Sequence, residues 1–149
     1  MIQETKLKTK GKLSEIDGIK DFQIFELVRK NSNGGGLAIG INCTFTPFMV
    51  FECDDKTELL VVEASINEHN IQFITGYGPQ ESESINDREE FFAKLSEGVK
   101  KAELAGCSVF IELDTNSKLW ADIIKGDPHD ISKNGELLLN IYILSKLLN

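Results

Sequence analysis

The sequence predicts an α/β (α+β) fold, a sandwich of mostly antiparallel strands with helices packed against them. Three patterns carry the prediction. Apolar runs of strand length, separated by compact polar connections, fill residues 22–77. From residue 85 the apolar spacing becomes that of one helical face. A nearly continuous apolar run, Cys107–Leu113, comes next, and a second helical stretch lies near Glu136–Leu147. Residues 1–149 read as a single domain, since this is an ordinary domain length and no repeat, low-complexity tract or Pro-rich linker interrupts it.

The elements follow in order. Phe22–Val28 and Leu37–Ile41 are the first strands, joined through Asn31-Ser-Asn-Gly-Gly-Gly36, a strong turn signal. Pro47–Cys53, Glu58–Ile66 and Ile71–Tyr77 come next at short spacing. Their connections, Asp54-Asp-Lys-Thr57 and Asn67-Glu-His-Asn70, suit hairpins, so these strands read as an antiparallel meander. Ile85, Phe92, Leu95, Val99 and Ala102 line one face of a helix, with Ser84 as N-cap and Gly106 as the stop. The apolar character of Cys107–Leu113 predicts a strand covered on both faces. Asn134-Gly-Glu then leads into the last helix.

Composition narrows the classes. With 41% hydrophobic residues, a chain this long can bury roughly 68–70% of its unfolded surface without disulfides. Cys43, Cys53 and Cys107 are odd in number and form no C-x-x-C pair, which points to reduced intracellular thiols. The opening residues Met1–Lys8 lack the apolar core of a signal peptide. The most apolar stretch, Leu137–Leu148, falls short of the ~20 residues that span a bilayer. Net charge is −8, yet residues 1–30 carry seven basic side chains against five acidic ones. So acidic a chain is a weak non-specific binder of nucleic acid, because phosphate neutralisation supplies most of that affinity. Lys6–Lys12 by themselves read as a solvated loop.

Chemistry can gather at three strand ends: Gln3-Glu4-Thr5, Gly76-Tyr77-Gly78-Pro79 and Glu112-Leu-Asp114-Thr-Asn116-Ser. Each has a plain structural reading, as a surface charge, a core cap before a turn, and an Asx turn or the cap of a following helix. Together they offer what metal-assisted phosphate-ester hydrolysis needs. Mg²⁺ takes one or two carboxylates, keeps waters and completes its shell with phosphate oxygens. A second carboxylate can orient or deprotonate a water, while an amide and a phenol hold the phosphate.

At these residues the chain resembles a known family. Gln3-Glu4-Thr5-Lys6 is similar to the "LQET" signature of the endonuclease/exonuclease/phosphatase superfamily. Tyr77-Gly-Pro resembles its "NxYxP" strand end, and Leu113-Asp114-Thr115-Asn116 its "GD(F/L)N" motif. Gly34–Ile39 and the stretch from Gly126 to Leu138 resemble the apurinic-type endonuclease domain of non-LTR retrotransposons, associated with reverse transcriptases. The resemblance implies a four-layer α-β-β-α sandwich, Mg²⁺ with Mn²⁺ as an alternative, DNA as substrate, and a nuclear setting. It implies Glu4 as metal ligand, Asp114 as the water-orienting base, and Tyr77 and Asn116 as phosphate or transition-state contacts.

The family also has an Asn-bearing strand before "LQET", and later strands with an Asp-His pair, which have no counterpart here. His69 and His129 do not stand in such a pair at a strand end. The expectation is therefore an incomplete sandwich with at least one open sheet edge. On the last helix, apolar residues among Leu138, Ile141, Leu144 and Leu148 should lack a cover. Two function classes remain. One is a Mg²⁺-dependent DNA endonuclease domain of weak or no activity alone, with a small-substrate phosphatase as its enzymatic neighbour. The other is a non-catalytic remnant that binds a metal, a nucleic acid or a second chain over the missing strands.

Overall fold

Alternation along the strands sorts their side chains into layers. The computed structural model describes residues 1–7, 9, 11–29, 35–52, 57–117 and 131–147. Its strands are β1 (Ile2–Gln3), β2 (Phe22–Leu27), β3 (Leu37–Asn42), β4 (Thr46–Glu52), β5 (Leu59–Ile66), β6 (His69–Tyr77) and β7 (Ser108–Asp114). Its helices are α1 (Ile85–Leu104) and α2 (Lys133–Leu147), with a 3₁₀ turn at Leu13–Glu15. The expected elements are all present, with ends shifted by up to about three residues, as helix and strand limits usually are. Asn31–Gly34, Cys53–Lys56 and His129 lie outside the described residues. No described helix is long and apolar enough to cross a membrane.

β4, β5 and β6 form the expected antiparallel meander, but the strands before them lie in a separate sheet. The strands divide into a three-stranded sheet, order β1-β3-β2, and a four-stranded sheet, order β4-β5-β6-β7. The first is antiparallel throughout; in the second only β6 and β7 run parallel. The break falls between β3 and β4 for a reason visible in the side chains. Leu37, Ile39 and Ile41 of β3 pack face to face against Leu60, Val62 and Ala64 of β5, forming the core between the sheets. Alternate residues of β5 and β6, namely Leu59, Val61 and Ile74, face outward to meet Phe91, Phe92, Leu95 and Val99 of α1. Both helices thus cover one outer face. On the opposite face the described residues place only the 3₁₀ turn, held where Glu26 of β2 accepts from the Gly11 and Leu13 amides. Ser84 caps α1 as the sequence predicts, accepting from the Asp87 amide at 3.2 Å.

Two expectations need correction. β7 is not covered on both faces: among the described residues it pairs only with β6, and Phe110 (56% exposed) and Ile111 (41%) reach solvent. Its apolar run belongs to an edge strand, which the period of the sequence alone cannot distinguish from a central one. The last helix, conversely, is covered at Leu138 and Ile141, which pack on the outer core beside α1. The Leu144 side chain and Leu148 lie outside the described residues.

Gly76 is the tight point of the four-stranded sheet. A Cβ there would sit 2.5 Å from Leu59 Cδ2, 2.8 Å from Leu113 Cδ2 and 3.1 Å from the Glu58 carbonyl. Gly76→Ala should therefore cost about 1–3 kcal/mol through overpacking, read as a lowered urea midpoint with an unchanged slope. A midpoint equal to that of the unmodified chain would show that the three strands are not so closely fitted.

Candidate active site

The site is assembled by strand ends. β1 pairs with β3, Gln3 opposite Leu37, so the Gln3 side chain faces the second sheet. There its amide donates to the Gly76 carbonyl at 3.2 Å and the Glu112 carbonyl at 3.1 Å. One side chain of the first sheet is thus anchored to the ends of both β6 and β7. The chain then turns, with Glu4 at a positive φ of 51°, and two backbone bonds secure it. Thr5 N–H donates to the Gly36 carbonyl at 3.0 Å and Lys6 N–H to the Gly35 carbonyl at 2.9 Å. The Glu4 carboxylate is exposed, with the Lys6 ammonium at 3.8 Å.

Tyr77 and Asp114 are direct register partners in the parallel pair β6–β7, so both side chains leave the face that looks toward β1. The loops beyond them are locked together. Gly78 N–H donates to the Asp114 carbonyl at 2.6 Å, and Asn116 Nδ2 donates to the Gly78 carbonyl at 2.7 Å. A Cβ on Gly78 would fall 2.9 Å from the Thr115 backbone, so only glycine lets the loops come this close. The Asx turn is real as well: Asp114 Oδ1 accepts from the Asn116 N–H at 3.0 Å, with Asn116 at a φ of 45°.

Two groups at this end were not legible as site residues. Glu58 precedes β5, is 6% exposed, and gives its carbonyl to the Tyr77 N–H at 2.9 Å. Its carboxylate lies 3.4 Å from Arg29 Nε. Burial holds this carboxyl above its ordinary range; Arg29 and the Gly36 amide pull it back, while Glu83 and Glu4 push it further up. In the sequence Glu58 is only the polar first residue of an apolar run. The other group is Asn134, fully buried at the start of α2, which reads from sequence as a helix entry.

Glu4, Tyr77, Asp114 and Asn116 are therefore brought to one end of the sandwich, with Glu58 behind them. His69 is not among them. It begins β6, eight residues from Tyr77, at roughly 3.3 Å of rise per residue. Among the described residues no three His, Cys, Asp or Glu side chains form a ready-made metal cage. An oxygen-ligand cation that needs only one or two carboxylates fits what is present, the exposed Glu4 carboxylate foremost.

The raised Glu58 carboxyl gives a pH signature. Between its ordinary value of 4.5 and its raised value the folded chain binds the proton that the unfolded chain releases, so stability falls as pH rises through that window. Above the window the contribution is flat. The stability of the unmodified chain relative to Glu58→Gln should thus be greatest below pH 4.5 and smaller at neutral pH, in urea unfolding without divalent cations. Parallel pH profiles for the two proteins would contradict the buried placement of Glu58.

No protein-family model matches the sequence, and no curated protein matches it. Among solved structures the chain is similar to the endonuclease domain of TRAS1, a telomere-specific non-LTR retrotransposon, at 16% identity and a TM-score of 0.49. The alignment covers 85% of this chain and 52% of that one, so the chain spans about half the length of the structure it matches.

Proposed function

We propose that this end of the sandwich is a metal-assisted phosphodiester-hydrolysing site acting on DNA. The observation that supports the reading is the Gln3 anchor, which ties the residue before Glu4 to the ends of the two strands that carry the register pair Tyr77 and Asp114. DNA as substrate, and Mg²⁺ or Mn²⁺ as the ion, rest on the resemblance of the three strand-end motifs. Glu4 would hold the ion, which supplies neutralisation of phosphate charge.

The chain's own groups divide the remaining work. Asp114, held by the Asx turn at Oδ1, keeps its other carboxylate oxygen for orienting and deprotonating a water. Asn116 has two amide hydrogens, of which one is given to the Gly78 carbonyl and the second can donate to a phosphate oxygen. The half-buried Tyr77 packs its ring on the inter-sheet core, and its hydroxyl serves as a further donor to the phosphate. Glu4, Glu58 and Asp114 make this end acidic, so a polyanionic substrate needs a cation to approach. A second reading, a non-catalytic interaction module, is favoured by β7, which among the described residues pairs only with β6 and exposes Phe110 and Ile111.

A plasmid-nicking assay with Mg²⁺ tests the proposal. The unmodified chain should nick slowly, and Glu4→Gln and Asp114→Asn should each lower the rate by about 10²–10³-fold. Nicking that survives both substitutions would remove these residues from the site. No nicking by a folded, unmodified chain would favour the interaction module.

A further inference from the structure

The side chain of Asn134 has no task in its own helix. A helix start needs acceptors for its free N–H groups, and here other side chains supply them. Asn134 N–H donates to Glu81 Oε1 at 3.0 Å, and Gly135 N–H donates to Ser132 Oγ at 3.2 Å. The Asn134 side chain instead turns its donor group on two loops. Its Nδ2 lies 2.8 Å from the Pro79 carbonyl, 3.2 Å from that of Thr115 and 3.4 Å from that of Asn116. Its Oδ1 is buried without a hydrogen-bond partner among the described residues, a cost that an apolar residue in the same place would avoid. Keeping the amide makes sense only if its two hydrogens are wanted.

The surroundings brace this amide. Glu81, which receives the Asn134 N–H, is held by Arg88 Nη1 of α1 at 2.7 Å. The start of α2 is therefore tied to α1, and the amide bridges from that fixed point to the loops after β6 and β7. We propose that Asn134 is a positioning residue that clasps the Gly78–Pro79 and Thr115–Asn116 loops, and so holds Tyr77 and Asp114 in their shared geometry. The catalytic part of this inference rests on the phosphodiesterase reading above; the clasp itself does not.

The test uses the full chain with Asn134→Ala and Asn134→Ser, the serine retaining a residue favoured at helix starts. Amide hydrogen exchange followed by NMR should show Gly78 and Asn116 N–H exchanging about tenfold faster in both variants, with Val61 and Val62 of β5 nearly unchanged. Unchanged protection at Gly78 and Asn116 would overturn the clasp. So would an equal loss of protection at every amide, or loss of folding in both variants, since either makes Asn134 a general stability residue. In nicking assays the variants should lose up to about 10²-fold in kcat with little change in KM. An unchanged kcat with freed loops would overturn the positioning role. Absence of nicking in the unmodified chain would defeat the phosphodiesterase reading, while the exchange result would still decide the clasp.

Discussion

The two hydrogens of the Gln3 amide are donated to carbonyls of a different sheet, at Gly76 and Glu112. β1 is only two residues long and, among the described residues, pairs only with β3, so its own ladder contributes little to its placement. What locates it is this crossing pair of hydrogen bonds, together with the backbone bonds from Thr5 and Lys6 to Gly36 and Gly35. Each net contribution is modest, about 0.5–1.5 kcal/mol. Their geometric effect is larger, because the residue after Gln3 is Glu4. Anchoring Gln3 fixes the backbone from which Glu4 departs, next to the ends of β6 and β7 that hold the Gln3 amide.

A second constraint is the parallel pairing of β6 with β7. It places Tyr77 and Asp114 side by side at one end, with both chains leaving in the same direction. Two exiting loops then need something to hold them, and polar groups do it. Gly78 permits the close approach, Asn116 bonds to the Gly78 carbonyl, and Asn134 reaches both loops from below. The acidity of this end opposes such crowding. Burial is the main cost at Glu58; the Arg29 guanidinium and the Gly36 amide ease it, while Glu83 and Glu4 add to it.

Periodicity made most elements legible. The change from strand-length runs to a helical face at Ile85, the Ser84 cap and the final helix all reflect local physics. Partition into two sheets was not legible, because β3 and β5 carry similar apolar alternation and only tertiary packing shows that they face one another. The edge position of β7 was hidden for a related reason: Val109, Phe110 and Ile111 are apolar whether or not anything covers them. At the site, Glu4, Tyr77, Asp114 and Asn116 stood out as polar groups at strand ends. Glu58 and Asn134 did not, since a buried carboxylate and a buried amide acquire meaning only from what surrounds them.

The central claim is that Glu4 and Asp114, 110 positions apart in sequence, face one shared space at the end of the sandwich. Titrating Mn²⁺ into the isotope-labelled chain and following amide signals tests it most directly. Paramagnetic broadening should strike residues 4–6, 77–78 and 114–116 together, saturably, and before any other segment. Broadening confined to one of these segments, or centred elsewhere on the acidic surface, would contradict the account.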